Sequence, residues 1–200
     1  MWIKICGLTT PEAVSAVLDA GADAMGFVFA KSVRQVSPDV ALRLAAPARG
    51  RVRCVAVTRH PSQQDIDEMV SIFKPDVLQT DFSDVALLRL PAQLELLPVL
   101  RGVGADRCEI PPRLLFEGLT SGVGVPCDWT AARRVARRTE LVLAGGLNPA
   151  NVASAIAAVQ PFGVDVSTGV EVRPGVKSPV EIANFVRAAR EPRAVWEEPV

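Results

Sequence analysis

Near its amino terminus the chain reads Lys4-Ile5-Cys6-Gly7-Leu8-Thr9, a strand-like alternation ending in a cysteine, a glycine and a threonine able to cap a helix. Cysteine is a nucleophile or base whose proton affinity its surroundings tune, and glycine lets the chain turn sharply just beyond it. This layout suits a catalytic residue at the C-terminal tip of a strand, where α/β enzymes hold their chemistry. A small buried thiol closing a strand gives the same pattern, so these six residues leave both readings open. Asp128, ahead of Trp129-Thr130, is either a helix N-cap, worth ~1 kcal/mol, or a carboxyl at a pocket rim across from Cys6. Capping opposes the raised pKa that a proton donor needs. Arg34, within Lys31-Ser32-Val33-Arg34-Gln35-Val36-Ser37-Pro38, is a surface arginine or a guanidinium that grips a substrate carboxylate through two hydrogen bonds. Three glycine-bearing loops follow late strands: Ser121-Gly122-Val123-Gly124, Gly145-Gly146 and Ser167-Thr168-Gly169. Successive N–H groups in such turns form an anion nest, which points to a phosphorylated substrate.

The elements that must position these groups are short apolar strands alternating with amphipathic helices. Strand one is Trp2 to Cys6, and its helix runs from about Thr10 to a stop at Gly21, with Thr9 and Glu12 at capping-box spacing. Strand two covers Ala24 to Phe29, followed by a helix opened by Ser37-Pro38. Strand three is Arg53 to Thr58, with Ile66, Met69, Val70 and Phe73 on its helix. Strand four is Asp76 to Gln79, with a short helical stretch at Val85 to Leu88. The fifth unit is degenerate. Leu94 to Leu100 contains Pro98, which cannot donate to a central ladder, and glycines and prolines break any following helix. Strands six, seven and eight are Leu114 to Phe116, Leu141 to Ala144 and Gly163 to Ser167. Their helices run from Trp129 to Arg138, from the Asn148-Pro149 pair, and from Ser178-Pro179. Eight strands and about seven helices without a linker predict one (β/α)8 TIM barrel across residues 1–200, with 191–200 an irregular tail. Period-2 alternation puts Lys4 on the face of Cys6 and Asp165 on the face of Ser167. Barrel closure makes strands one and eight neighbours, so Lys4 and Asp165 are expected to point inward and pair. The loops Ala30 to Ser37, Glu117 to Cys127 and Thr168 to Lys177 are long for so small a barrel, and all follow strands.

Composition narrows the partners. Lys plus Arg number 22 and Asp plus Glu 22, so no net field calls for nucleic acid or an anionic membrane. The chain is 49% hydrophobic but only 5% aromatic, which suits strands buried on both faces. No apolar run approaches membrane-span length, and a strand starting at Trp2 leaves no room for a signal peptide. The four cysteines form no C-x-x-C pair, and the single histidine, His60, precedes Pro61 at a helix start. No metal or organic cofactor is expected, His60 reads as a cap-region residue, and a reduced cytoplasmic protein acting as a monomer is the expectation.

Taken in order, several segments resemble phosphoribosylanthranilate isomerase of tryptophan biosynthesis. They are Lys4 to Leu8, Gly21 to Phe29, Ser32 to Pro38, Asp128-Trp129, Leu143 to Val152, Gly163 to Glu171 and Gly175-Val176-Lys177. The resemblance implies an Amadori rearrangement of N-(5′-phosphoribosyl)anthranilate to 1-(2-carboxyphenylamino)-1-deoxyribulose 5-phosphate, without a cofactor. It implies Asp128 as general acid on the furanose ring oxygen and Cys6 as the base that removes the C2′ proton. Arg34 would meet the anthranilate carboxylate, Asp165 the sugar hydroxyls, and Gly122, Gly124, Gly145, Gly146, Ser167 and Thr168 the phosphate. The chain departs from the usual pattern in two loops. Gln79-Thr80-Asp81-Phe82 stands where the family usually has Gln-Leu-His-Gly, and Ser121 to Cys127 differs from its usual glycine-threonine loop. The alternatives are a related phosphosugar isomerase of the histidine pathway or a barrel that binds a phosphorylated ligand without turnover. Cys6 at the tip of strand one, and Cys6 and Asp128 together, argue against them respectively.

Overall fold

A computed structural model of the protein describes residues 1–102, 110–118 and 127–191. Eight parallel strands close a barrel in sequence order: β1 (Trp2–Cys6), β2 (Ala24–Val28), β3 (Arg53–Val57), β4 (Val77–Asp81), β5 (Glu95–Arg101), β6 (Arg113–Glu117), β7 (Glu140–Leu143) and β8 (Gly163–Val166). Around it run α1 (Pro11–Ala20), α2 (Pro38–Ala45), α3 (Gln63–Ile72), the one-turn α4 (Phe82–Val85), α5 (Trp129–Ala136), α6 (Val152–Val159) and α7 (Pro179–Arg190). Two apolar layers hold the barrel. Between strands and helices lies a large core that includes Ile3, Ile5, Phe27, Phe73 and Phe185. Inside the barrel, Ala24, Val55, Val77, Leu97, Val99, Leu115, Val142 and Ala144 pack together. These interior residues are alternate positions along their strands, as a filled barrel requires.

Helix starts follow local chemistry. Ser37, Ser62 and Ser178 each accept a hydrogen bond from a backbone N–H three residues on, and Gly21 closes α1 in the left-handed region at φ 71°. Several expected boundaries shift. Thr10, not Thr9, caps α1, and the Thr9 hydroxyl instead donates to the Gly175 carbonyl at 3.0 Å. β4 extends through Asp81, so the short helix begins at Phe82 rather than Val85. α5 ends at Ala136. Asn148 opens a turn, accepting from the Ala150 and Asn151 N–H groups, and α6 itself starts only at Val152. β5 forms despite Pro98, which is in register with Thr80 of β4, whereas pairing with β6 starts at Val99. The ladder to β6 therefore lies beyond the residue that lacks a donor. Most of the connection after β5 lies outside the described residues. The loop after β8 carries structure that alternation did not reveal: a 3₁₀ turn at Thr168–Val170 and an antiparallel pair, β9 (Glu171–Arg173) with β10 (Val176–Lys177).

Candidate active site

Cys6 ends β1 and is 7% exposed, at the C-terminal mouth of the barrel. Its register partner on β2 is Gly26. A Cβ on Gly26 would lie 3.0 Å from Cys6 Sγ and 3.1 Å from Lys4 Nζ, so the missing side chain makes the space in which thiol and ammonium meet. Lys4 is fully buried and donates to Asp165 Oδ1 at 2.8 Å across the β1–β8 seam, where the two residues are in register. The expected inward pair is therefore present. Burial favours the neutral amine, but Asp165, and then Cys6, outweigh it and hold the Lys4 pKa above its ordinary value. Burial pushes the Cys6 thiol up, opposed by Lys4 and Lys177 and assisted by Asp165.

Above Cys6 the loop after β8 is tied down by ions. Lys177 on β10 donates to the Ser167 carbonyl at 2.9 Å, to Ser167 Oγ at 3.2 Å and to Glu171 Oε1 at 2.7 Å. Ser167 Oγ donates to the Cys6 carbonyl at 3.0 Å. Arg34, from the loop after β2, grips Glu171 with Nε and Nη2, both at 2.7 Å, and reaches Thr168 Oγ1 at 3.5 Å. Desolvation acts against the Glu171 charge, but the bonds from Arg34 and Lys177 prevail and lower its pKa. Lys177 is itself lowered, by burial first. Gly7 makes this network possible. It turns at φ 79°, and a Cβ there would come within 2.6 Å of Arg34 Cδ.

The phosphate-suited loops adjoin the same corner. Gly145 and Gly146 turn at φ 93° and 64°, and a side chain on Gly169 would collide with the Leu147 carbonyl, so the backbones after β7 and β8 touch. Gly122 and Gly124 lie outside the described residues. Asp128 caps α5, accepting from the Thr130 and Ala131 N–H groups at 2.8 and 3.1 Å, and is solvent-exposed.

The profile of the family described as N-(5′phosphoribosyl)anthranilate (PRA) isomerase matches residues 3–188. The chain belongs to the PRA isomerase family. It is 40% identical to the N-(5′-phosphoribosyl)anthranilate isomerase of Rhizobium leguminosarum bv. trifolii (strain WSM2304), covering 94% of either chain. Among solved structures, the Thermotoga maritima phosphoribosyl anthranilate isomerase superposes with a TM-score of 0.81 at 31% identity, over 95% of this chain and 98% of that one. A PRA isomerase complex with reduced 1-(o-carboxyphenylamino)-1-deoxyribulose 5-phosphate superposes with a TM-score of 0.78 at 30% identity, with the same coverage.

Against the PRA isomerase pattern, the departure after strand four has a definite setting. Asp81 Oδ1 takes Arg101 Nε and Nη2 at 2.9 and 2.6 Å, and Arg101 also pairs with Glu117. His60, the sole histidine, sits two residues ahead of the α3 cap, in the cap region as expected. Asp84 holds it twice, through its backbone N–H and through Nδ1, both at 2.9 Å, while Nε2 lies 3.5 Å from Asp81. His60, Asp81 and Asp84 lie close enough to share a cation, but Arg59 and Arg101 already neutralise Asp81. A cleft of about 630 Å³ between the loops after β2 and β3 is lined by Ser32, Gln35, Arg59 and His60 but not by Cys6. Sequence reading passed over three groups: Glu171, Lys177 and the buried Gln79 side-chain oxygen, which has no partner among the described residues. The first two stand in the segments that carry the family resemblance. Their role was hidden because the β9–β10 hairpin that aims them is set by long-range pairing.

Proposed function

We propose that Cys6 and Asp128 carry the acid–base steps by which this protein rearranges N-(5′-phosphoribosyl)anthranilate to 1-(2-carboxyphenylamino)-1-deoxyribulose 5-phosphate. The protein is an isomerase of tryptophan biosynthesis. Asp128 protonates the furanose ring oxygen, and the ring opens to a Schiff base. Cys6, as thiolate, removes the C2′ proton. The enolamine that results tautomerises to the ketone. The carrying observation is the setting of Cys6: a thiol at the tip of β1 with an ammonium on its own strand face, at the same end of the barrel as the glycine turns after β7. Asp128 supports its part by standing solvent-exposed at the start of α5, after β6.

Arg34 then meets the anthranilate carboxylate from its seat on Glu171, and Asp165 meets the sugar hydroxyls while holding Lys4. Gly145, Gly146, Ser167 and Thr168, with Gly122 and Gly124, receive the phosphate. No helix of the described residues is long and apolar enough to cross a membrane. The same reading has the protein working in the cytoplasm as a monomer. Sedimentation checks that state.

Loss of phosphoribosylanthranilate fluorescence on adding purified protein tests the activity. Cys6→Ala and Asp128→Ala are each expected to lower kcat by ~10²–10⁴-fold with an unchanged circular dichroism spectrum. Near-wild-type turnover in either would overturn its role.

A further inference from the structure

A thiol is a base only as thiolate, and burial opposes that charge. Cys54 and Cys127 show how strongly burial acts: desolvation, only partly offset by Arg49 and Arg53 near Cys54, pushes both up to about 11. Cys6 is buried as well, and it faces a different set of groups. Lys4 from β1, Lys177 from β10 and Arg34 from the loop after β2 present cations, and Asp165 from β8 presents an anion. Glu171 on β9 acts on this set by holding Arg34 and Lys177.

Lys4 differs from the other two cations in where its charge is placed. It shares the space vacated by Gly26 with Cys6 Sγ, and its Nζ donates to Asp165 at 2.8 Å. Lys177 divides its donors among Ser167 and Glu171, and Arg34 is committed to Glu171 through two bonds. A buried lysine is costly, and apolar side chains of similar volume fill such space more cheaply.

We propose that Lys4 is a positioning residue that sets the thiolate population of Cys6, with Asp165 drawing part of the ammonium's charge away from the sulfur. Ionisation releases the thiol proton to solvent and leaves a thiolate against the ammonium. In turnover that thiolate takes the C2′ proton and becomes the thiol again. This rests on the reading of Cys6 as the base, and the two are separable. Turnover of Cys6→Ser tests the base, whereas a titration of the sulfur tests Lys4.

Protein labelled with ¹³C at cysteine Cβ reports the thiol-to-thiolate change directly, with the Cys6 resonance identified by its loss in Cys6→Ser. Three samples suffice: wild type, D165N, and the K4M/D165N pair, in which no carboxylate is left buried without its cation. D165N is expected to titrate below wild type, because the anion that opposes the thiolate is gone and the ammonium then serves the sulfur alone. K4M/D165N is expected to titrate above D165N by about one to three pH units, the reach of an opposite charge within a few ångströms. Equal midpoints in D165N and K4M/D165N, or a D165N midpoint no lower than wild type, overturn the proposal. A role for Lys4 in packing alone would leave D165N and K4M/D165N with the same midpoint.

Discussion

The barrel mouth is charged all round, but its two sides hold their charges differently. Over β8, β1 and β2 the ion pairs are dry: the side chains of Lys4, Lys177 and Glu171 are 0%, 0% and 3% exposed. Each ties separate pieces of chain together, β1 to β8 through Lys4 and the β2 loop to the β9–β10 hairpin through Arg34 and Glu171. Over β3 to β6 the ring continues with Arg59, His60, Asp81 and Arg101, whose side chains are 54%, 63%, 10% and 19% exposed. This wetter side is also where the chain departs from the usual family motif, with Asp81 in place of a histidine. Charge beside Cys6 is fixed by burial and by paired hydrogen bonds, whereas charge across the mouth is partly left to water, where substitution costs less.

Removing one cation from each side gives the largest contrast. Lys4→Ala strands Asp165 in the barrel interior, which is expected to cost about 3–5 kcal/mol in urea denaturation. Arg59→Ala removes an exposed partner 3.7 Å from Asp81 and is expected to cost under about 1 kcal/mol. Similar losses for the two would dissolve the distinction.

Much of the dry side was readable in sequence, for a physical reason. The strand period is two and a barrel interior is single-valued, so Lys4, Cys6, Asp165 and Ser167 had to face inward, and closure put β1 beside β8. The N-terminal caps at Ser37 and Ser178 were equally local. What escaped depended on distant chain. Glu171 acquires its purpose only when Arg34 arrives from a loop after β2, past a glycine that leaves it room. Pro98 argued against β5 by a rule about one residue's donor, while the ladder that matters begins at Val99. His60 was placed beside its helix correctly, but its grip on Asp84 follows from the adjacency of β3 and β4, not from its neighbours in sequence.

Glu171→Gln probes how the dry side holds Arg34. One of two charged bonds to the guanidinium and the ion pair to Lys177 are weakened, so KM is expected to rise about tenfold, the factor that 1.4 kcal/mol represents, with a smaller change in kcat. Stability gives a second readout with a definite sign. The Glu171 pKa is lowered in the folded protein, so its stabilising contribution is whole above the ordinary glutamate value and is lost as pH falls through the lower, folded value. The difference in urea midpoint between wild type and E171Q should therefore be constant near neutrality and shrink below about pH 4.3. A gap that widens as the solution is acidified would contradict the pairing.

The smallest effects are expected on the wet side, at Asp81. Asp81→Asn keeps the shape and an acceptor for Arg101, which still has Glu117, and His60 keeps both bonds to Asp84. A cost of about 1 kcal/mol or less is expected, with kcat and KM within about twofold. Asp81→His restores the residue the family usually carries there, yet it should be the worse of the two. Arg59, His60 and Arg101 are gathered around this one carboxylate, and an imidazole put in its place would meet two guanidinium groups with no negative charge of its own. If D81H instead matched or exceeded D81N in stability and KM, the cations around position 81 would be indifferent to its charge. The wet side would then owe its form to packing rather than to ion pairing.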